Sequence, residues 1–509
     1  MLPPTEGLLF RAGTADFTTT SEGRLAERLR MAYSDSHSLP LCIDLDGTLV
    51  KTDMLFESLA RLLKHKPWLI LLVPFWCLQG RAALKRKLAS HVSIDVHSLP
   101  YNSALVEWLR VQKDLRQLLL VTAADESIAQ PVADHLGIFD RVLASNGSVN
   151  LKGKAKLGVL REELRGGFEY AGDSPADLEI WRHCASAVTV GASPSLLRQL
   201  RKHVPEVKTF DGPRTSWRHY FSALRIHQWA KNLLIYVPLI TAHKVEQLDL
   251  LVQSTFCVLV FGLCSSAQYI LNDLVDLEAD RAHPKKRLRP FASGDLPLRV
   301  GFVLAPVLLA VSLSAALLYS KPLAALLALY FVFSLTYSLS LKKLVLVDTF
   351  CLSALYLLRI IAGHVVTGVA FSVWLLSFAF FLFLSLAFSK RWTELDLVQK
   401  TKGAINGRGY LIDDTLQVNL FGVCSAFLST VVFILYLQSE KVKELYRNPE
   451  ILWALSPVYL YWISRIWILS TRGKVQEDPV VFVMKDWVTY IVAALCGLIM
   501  WIATKGWLP

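Results

Sequence analysis

The chain has 509 residues, more than one typical domain, and 53% of them are hydrophobic. A mean hydropathy of +0.40, with the long apolar runs all after about residue 230, excludes a wholly soluble protein. The formal net charge of +12 at pH 7 is better explained by anionic lipids and phosphate substrates than by nucleic acid, and we expect no nucleic-acid partner.

Four segments organise the chain. Residues 1–39 form an N-terminal extension without the charged start and apolar core of a secretory signal. Residues 40–205 have the patterning of an α/β domain, residues 206–222 form a linker, and residues 223–509 form a helical membrane domain. The eight cysteines are scattered without metal-type spacing, which indicates buried free thiols in a reducing cytosol.

Acidic residues follow apolar strands in the N-terminal half. LCIDLDGTLV (41–50) places Asp44 and Asp46 after one strand, and FEYAGDSPADLEIW (168–181) places Asp173 and Asp177 after another. Carboxylates at the ends of parallel strands converge in the crevice of a doubly wound sheet. The pattern therefore predicts one acidic site at these strand ends.

A hydroxyl and a lysine complete this series of motifs. Thr122 ends the apolar strand in LLLVTAADES (118–127), and Lys156 opens the helical stretch KLGVLREEL, with Lys152 and Lys154 as close rivals. Such groups neutralise a phosphoryl group during its transfer.

These ordered motifs resemble those of haloacid dehalogenase-type (HAD) phosphatases over residues 40–195 or so. The resemblance implies a Rossmann-like α/β fold with a helical cap at about residues 54–110. It implies that Asp44 is the nucleophile, that Asp46 is the general acid and base, and that Thr122 and Lys156 are catalytic. Mg²⁺ would be bound by Asp44, Asp46, Asp173 and Asp177. A relic without turnover is the alternative, although no motif position has been lost.

One apolar run lies inside the predicted cap. It extends from Trp68 to Leu78 and is too short to span a bilayer. It forms either a core helix or a helix at the membrane interface, and we favour the interface.

Nine apolar runs near the length of a membrane span follow, of which the first is the weakest: 232–247, 250–271, 301–319, 322–340, 345–367, 372–389, 417–437, 450–470 and 489–505. Lys and Arg are concentrated in the loops at 272–300, 341–344, 390–416 and 471–488. The positive-inside rule therefore places these loops and the N-terminal domain on the cytoplasmic side. We expect an integral protein of a bacterial inner membrane with cytoplasmic active sites.

The most informative stretch is LNDLVDLEADRAHPKKRLRPFASG (271–294). If the preceding helix continues through it, Asp273, Asp276 and Asp280 occupy one arc roughly 60° wide while Glu278 points away. Three neighbouring carboxylates at a membrane surface repel one another unless a cation such as Mg²⁺ lies between them. A cluster suited to phosphate oxygens follows them: Arg281, Lys285, Lys286, Arg287 and Arg289. A solvated positive-inside loop would account for the basic residues but not for the spacing of the acids.

From about residue 215 the chain resembles the UbiA superfamily of intramembrane prenyltransferases, with nine helices and the motif NDxxDxxxD. Here the motif is Asn272, Asp273, Asp276 and Asp280. The resemblance is strongest to the branch represented by decaprenyl-phosphate phosphoribosyltransferase. It is carried by LRIHQWAKN (224–232), DRAHPKKRLRPFASG (280–294), YSLSLKKLVLVD (337–348), LLRIIAG (357–363), SKRWTEL (389–395) and DPVVF (478–482).

Charged residues in these segments are further binding candidates. Arg225 and Lys231 flank the interfacial Trp229, where they either bind a lipid phosphate or anchor the helix. Arg359 is a charge inside an apolar helix and is a functional candidate by default. The remaining candidates are Lys342 and Asp348, before and within the fifth span, and Lys390 and Arg391, which also suit a charged flank that stops a span.

One departure from the superfamily pattern bears on function. Aromatic prenyltransferases of this superfamily have a second acidic motif, DxxxD, whereas here Asp348 is followed four residues later by Leu352. The resemblance then implies Mg²⁺-dependent transfer of 5-phosphoribose from phosphoribosyl pyrophosphate to a polyprenyl phosphate. The fused phosphatase would dephosphorylate the product.

The alternative is transfer of a prenyl group from prenyl diphosphate to an aromatic or lipid acceptor. A transporter would not explain phosphate-handling motifs in both halves.

Overall fold

The computed structural model describes residues 39–146, 150–213, 215–401, 408–475 and 479–505. The predicted extension, apart from its last residue, lies outside these ranges. The chain forms two compact units that divide between residues 214 and 215.

The first unit is built on one sheet of six parallel strands in the order β3-β2-β1-β4-β5-β6. Strand β6 pairs with β5, so the sheet extends beyond residue 205 and includes part of the segment predicted as a linker. The strands are β1 (Leu41–Ile43), β2 (Leu118–Asp125), β3 (Arg141–Ser145), β4 (Glu169–Gly172), β5 (Ala187–Val190) and β6 (Val207–Phe210).

The region between β1 and β2 is helical, as the HAD resemblance implies for a cap. It contains α1 (Met54–His65), a 3₁₀ turn (Pro67–Leu72), α2 (Val73–Leu78) and α3 (Arg81–His91), followed by α4 (Ser103–Lys113). Trp76 is the buried residue of α2, and its ring lies 5.4 Å from that of His91. This contact fixes α2 against α3.

Both faces of the sheet are covered, so its strands are apolar on both sides. Leu41 and Ile43 face one core with α4 and α5 (Glu126–Leu136), while Cys42 faces the other. The second core is closed by α6 (Lys154–Glu163), α7 (Leu178–Trp181) and α8 (Pro194–Leu200). The strand ends are therefore the open route to the sheet.

The second unit is helical. It begins with α9 (Trp217–Leu224), a 3₁₀ segment (Ile226–Tyr236) and α10 (Val237–Thr241). The remaining helices are α11 (Leu248–Val275), α12 (Leu277–Ala282), α13 (Pro290–Ser293), α14 (Leu298–Tyr319), α15 (Lys321–Leu339), α16 (Val347–Thr367), α17 (Val373–Thr401), α18 (Thr415–Leu437), α19 (Glu440–Leu445), α20 (Leu455–Thr471), α21 (Pro479–Lys485) and α22 (Trp487–Lys505).

Within the described residues, eight helices are long and apolar enough to cross a membrane, so the predicted count of nine is not confirmed. The difference lies in the first predicted span. There the chain is 3₁₀ rather than α-helical up to Tyr236, and α10 ends at Thr241. This segment also carries the buried polar side chains of Lys231 and Asn232, so it is not uniformly apolar.

Helix α16 is central to the packing of the second unit. Its residues enter two cores, one with α11, α14 and α15, and another with α17, α18 and α20. Close approach to α16 depends on a glycine, because a Cβ at Gly363 would lie 2.2 Å from the Ile235 carbonyl oxygen. The 3₁₀ segment can therefore lie directly against α16.

We predict that Gly363→Ala destabilises the membrane unit by about 1–3 kcal/mol, because overpacking against backbone cannot be relieved by a side-chain rotation. Gly497→Ala in α22 is the matched control, since a Cβ there meets nothing within 4 Å. Thermal unfolding in detergent should show a lower midpoint for Gly363→Ala than for Gly497→Ala. Equal midpoints would contradict the close contact.

Candidate functional sites

Three carboxylates converge at the strand ends of the first unit. One oxygen from each of Asp44, Asp173 and Asp177 lies within 4.8 Å of the others, and no other such group of three acidic, His or Cys side chains occurs in the described residues. Asp44 follows β1 and the other two follow β4, where the strand order reverses. The all-oxygen donor set fits Mg²⁺.

The electrostatics of this cluster also fit a cation. Burial, together with the neighbouring Asp177 and Asp44 carboxylates, raises the pKa of Asp173 to about 7. Burial and Asp44 likewise raise the pKa of Asp177. A divalent ion among these oxygens would remove the mutual repulsion, and Asp44, Asp173 and Asp177 are the residues that would hold it.

Lys156 is the lysine that reaches the cluster. Its Nζ lies 2.9 Å from Asp44 Oδ2, and its side chain is buried at the start of α6, whereas Lys152 and Lys154 are exposed. This amine can neutralise negative charge that develops next to Asp44.

Tyr170 is a site residue that sequence reasoning missed. Its hydroxyl accepts a hydrogen bond from Lys156 Nζ at 2.9 Å and lies 3.2 Å from Asp177 Oδ1 and 3.4 Å from Asp44 Oδ2. Burial and these two carboxylates raise the pKa of Tyr170, so the phenol keeps its proton. Nothing in the sequence distinguishes it from an ordinary core tyrosine of a strand.

Asp46 lies apart from the three-carboxylate group, although it was among the predicted metal ligands. Its Oδ1 accepts a hydrogen bond from the Met54 amide, the first residue of α1, at 2.8 Å. Burial, followed by the nearby Asp53 carboxylate, raises the pKa of Asp46 to about 8. A carboxyl group that stays protonated at neutral pH can donate a proton to a leaving group.

Thr122 and Gly47 lie next to the acids at the strand ends. The register that pairs Ile43 with Leu120 brings Thr122 to the same sheet edge as Asp44, and its Oγ1 accepts a hydrogen bond from the Ala124 amide at 3.0 Å. Gly47 has φ +76°, and a Cβ there would lie 2.4 Å from Asp173 Oδ2. Glycine therefore allows the loop after β1 to approach the acid.

The cap contributes a lysine that was not predicted. Lys85 of α3 donates to the Ala123 carbonyl oxygen at 2.6 Å and lines a small cavity with Asp46 and Ser58. Burial lowers the pKa of Lys85, while the charges of Asp46 and Asp53 act in the opposite direction. Its position covers the acidic site from the side of the cap.

In the second unit the predicted acidic helix is interrupted at Asp276, between α11 and α12. Helical hydrogen bonds continue through the break, because the Asp276 amide donates to Asn272 O at 2.9 Å and the Asp280 amide donates to Asp276 O at 2.8 Å. Asn272 also accepts a side-chain hydrogen bond from Gln268 at 2.9 Å. The acids thus stay on neighbouring turns without forming one straight face.

Cationic side chains lie among these acids. Arg289 Nη1 donates to Asp280 Oδ2 at 2.6 Å and to Asp273 Oδ1 at 3.2 Å, and Arg225 also donates to Asp273. Asp276 turns to Lys342, whose Nζ lies 3.0 and 3.2 Å from its two oxygens. Asp273 and Asp280 therefore share one cationic partner, and Asp276 has another.

The rest of the predicted basic cluster divides into two groups. Arg281 donates from Nε to the Ala292 carbonyl oxygen at 3.1 Å, which ties α12 to α13. Lys285, Lys286 and Arg287 are exposed in the connection between these helices. They form a positively charged surface beside Arg289, as a site for phosphate oxygens requires.

Arg359 and Lys231 lie in the bundle rather than with the acids. Arg359 is buried and donates to Asn232 Oδ1 at 3.0 Å, to the Tyr330 hydroxyl at 3.0 Å and to Leu355 O at 2.6 Å. Lys231 Nζ lies 5.6 Å from the centroid of the Tyr356 ring. The contacts of Arg359 indicate a side chain that joins α15, α16 and the 3₁₀ segment.

Asp348 is also held by basic residues. Its side chain is fully buried and lies 2.6 Å from Arg391 Nε, 3.4 Å from Arg408 Nη1 and 2.6 Å from the Tyr410 hydroxyl. Arg391 and Arg408 both contact Glu394 as well. Arg391 is thus a buried partner of two acids, while the neighbouring Lys390 is half-buried.

Comparison with known proteins agrees with this division of the chain. The model of the UbiA prenyltransferase family matches residues 234–439. An uncharacterized protein, y4nM, of Sinorhizobium fredii is 42% identical over 462 residues, which cover 90% of this chain and 89% of that protein. The chain belongs to the UbiA prenyltransferase family, whose model falls within the second unit. The first unit, whose motifs resemble those of HAD phosphatases, is named the HAD-like domain.

Two further relatives match part of the chain. The nodulation protein NoeC of Azorhizobium caulinodans is 33% identical over 270 residues, which cover 52% of this chain and 87% of that protein. Decaprenyl-phosphate phosphoribosyltransferase of Mycobacterium tuberculosis is 36% identical over 187 residues, or 36% of this chain and 62% of that enzyme.

Two kinds of solved structure are similar to parts of the chain. A UbiA homolog from Archaeoglobus fulgidus bound to GPP and Mg²⁺ is 16% identical, covering 56% of this chain and 99% of that chain with a TM-score of 0.43. A substrate-bound phosphoserine phosphatase is 15% identical, covering 34% of this chain and 92% of that chain with a TM-score of 0.25.

We predict that Gly47→Ala abolishes hydrolysis of p-nitrophenyl phosphate by the purified chain, because the added methyl group displaces the Asp173 carboxylate. Gly137→Ala is the control, since Gly137 also has positive φ but a Cβ there meets nothing within 4 Å. It should cost about 1 kcal/mol of stability and leave hydrolysis intact. Equal hydrolysis by both variants would contradict the role of Gly47.

Proposed function

We propose that the membrane unit transfers 5-phosphoribose from phosphoribosyl pyrophosphate to a polyprenyl phosphate in an Mg²⁺-dependent reaction. The bond from ribose C1 to the pyrophosphate oxygen breaks, a bond to the lipid phosphate oxygen forms, and pyrophosphate leaves. The observation that carries the proposal is the grouping of Arg225, Arg289 and Lys342 around Asp273, Asp276 and Asp280. The donor and the acceptor are both anionic, so the site needs basic side chains for their phosphate oxygens and acidic side chains for Mg²⁺.

Each side chain has a definable task in this reaction. Asp273, Asp276 and Asp280 would supply oxygens for Mg²⁺, which when bound would stabilise the leaving pyrophosphate. Arg289 donates hydrogen bonds to Asp273 and Asp280 in this structure. With Mg²⁺ on those acids, Arg289 would be available to donate to phosphate oxygens instead. Lys285, Lys286 and Arg287 attract the donor to the site.

The environment of Asp348 supports a sugar donor over a prenyl donor. A second metal site of the aromatic prenyltransferase type would need Asp348 and a second acid, but position 352 is a leucine. Asp348 is already neutralised by Arg391 and Arg408. The partial similarity to a phosphoribosyltransferase points the same way. Prenyl transfer to an aromatic or lipid acceptor is the alternative that the assays below test.

We also propose nine membrane segments and cytoplasmic active sites in a bacterial inner membrane. The 3₁₀ segment rises about 22 Å at 2.0 Å per residue and α10 adds about 8 Å, together about the 30 Å of a hydrocarbon core. This length supports a first span between residues 226 and 241. The basic loops at 272–300 and 341–344 support the orientation.

The HAD-like domain is proposed to remove the phosphate that this transfer places on the lipid. Asp44 attacks phosphorus and forms an aspartyl phosphate, while Asp46 gives its proton to the departing ribose oxygen. Water then hydrolyses the aspartyl phosphate and releases inorganic phosphate. The proximity of Lys156 to Asp44 supports this assignment, and tethering gives the second site a high effective concentration of the first product.

We predict that Asp276→Asn reduces phosphoribosyl transfer at least about 100-fold, because it removes a carboxylate and its pairing with Lys342. EDTA should have the same effect on the unsubstituted protein. Glu278→Gln, a neighbouring acid on the opposite arc, is the control and should remain active. Products are measured with phosphoribosyl pyrophosphate and polyprenyl phosphate, and separately with prenyl diphosphate and aromatic acids. Near-normal transfer by Asp276→Asn would exclude a role in catalysis.

We predict that Asp44→Asn makes a different lipid product, because an amide cannot accept the phosphoryl group. Mass spectrometry should find polyprenyl-phosphoryl-5-phosphoribose with this variant and the dephosphorylated ribosyl lipid with the unsubstituted protein. Transfer itself should be unchanged. If both proteins give the same lipid while only one hydrolyses p-nitrophenyl phosphate, the HAD-like domain acts on another substrate.

A further inference from the structure

The cap of the HAD-like domain carries a continuous apolar surface. It is formed by the 3₁₀ turn Pro67–Leu72 and by α2, with Trp68 65%, Leu71 80%, Phe75 60% and Leu78 85% exposed. A soluble domain rarely exposes so many large apolar side chains next to one another. We refer to residues 67–78 as the apolar segment.

The apolar segment is held rigidly. Trp76 is its buried member; its ring contacts that of His91 of α3 in a tilted arrangement, and Lys87 Nζ lies 5.9 Å from the centroid of the Trp76 ring. Lys66 Nζ, at the start of the segment, donates to the His91 carbonyl oxygen at 3.1 Å. Trp68, Leu71, Phe75 and Leu78 therefore face outward because the opposite side is fixed to α3.

The surrounding charge identifies the kind of partner. Residues 58–94 contain no Asp or Glu, but they contain seven basic residues on both sides of the apolar segment: Arg61, Lys64, Lys66, Arg81, Lys85, Arg86 and Lys87. An apolar stripe with aromatic residues between basic residues is the pattern of a helix that lies in the interface of an anionic bilayer. A protein partner would not require this uniform sign of charge.

Helix α3 connects the apolar segment to the cavity at Asp46. Leu78 lies just before α3, and Lys85, about 6 Å further along the helix axis from Arg81, lines the cavity at Asp46. A bilayer in contact with Leu78 would therefore lie a short connection and about one turn of α3 away from the cavity at Asp46.

We propose that the apolar segment inserts into the surface of an anionic bilayer and thereby presents the acidic site to phosphomonoesters carried on lipids. The docking itself is independent of the proposed phosphatase function, whereas the choice of a lipid substrate rests on it. Insertion reduces the search for substrate from three dimensions to the plane of the membrane.

Cys77, an exposed thiol in the apolar segment, provides a probe of docking in the full-length protein. The full-length protein is reconstituted into vesicles of phosphatidylglycerol and phosphatidylethanolamine, and its thiols are labelled with the fluorophore bimane. Cys77→Ser is labelled in the same way, and subtracting its fluorescence leaves the signal from position 77. We expect quenching by brominated lipids and shielding from iodide. Quenching by iodide, or shielding from both quenchers as a covering protein surface would give, overturns the proposal.

A functional test uses Leu71→Ser/Phe75→Ser/Leu78→Ser, with Val111→Ser/Leu115→Ser as a control at comparably exposed positions of the same domain. The triple variant should dephosphorylate lipid phosphomonoesters in vesicles about tenfold or more slowly, since it loses the effective concentration at the surface. Its hydrolysis of p-nitrophenyl phosphate should match the control. Unchanged lipid hydrolysis overturns the proposal. If the unsubstituted protein hydrolyses neither substrate, the phosphatase function fails and the quenching result alone decides docking.

Discussion

Carboxylates that lie close together must be neutralised, and both units of this protein are arranged around that requirement. In the HAD-like domain, Lys156 reaches the acids at the strand ends, and Tyr170 joins two of them through its hydroxyl. In the membrane unit, Arg225, Arg289 and Lys342 share the three acids between α11 and α12. In both units, Lys and Arg side chains thus lie beside the acids, at the places where a metal ion and a phosphate group would bind.

The acids of the two units are neutralised in different ways. The acids of the HAD-like domain are close enough for all three to bind one ion, and burial raises the pKa values of Asp173 and Asp177. In the membrane unit each acid instead has an Arg or Lys partner, and two of the three, Asp273 and Asp280, are buried, where an unpaired carboxylate would be costly. Binding an ion there requires exchange of partners rather than occupation of a preformed group of three.

The sequence predicted the residues that belong to contiguous motifs, and it failed where tertiary contacts decide. Asp44, Asp173 and Lys156 each follow a recognisable strand or open a helix, so their meeting at one sheet edge was predictable from strand order. Tyr170 and Lys85 carry no local signal, because their roles depend on which side chains the sheet and the cap bring beside them. Arg359 was identified as unusual, but only the packing of α15 and α16 gives its partners. The 3₁₀ conformation of the first predicted span was not foreseen, because hydropathy does not separate a 3₁₀ segment from an α-helix.

The burial of Asp348 limits how this membrane site can change. Replacing Leu352 with Asp would restore the spacing of a second acidic motif, but Asp348 would still be occupied by Arg391 and Arg408. Removing Arg391 first would leave Asp348 and Glu394 as poorly compensated acids. Conversion to a two-metal prenyltransferase would therefore require simultaneous substitutions, and each single step would be less stable than its parent. The Asp348–Arg391 ion pair therefore makes stepwise substitution at this position costly in stability.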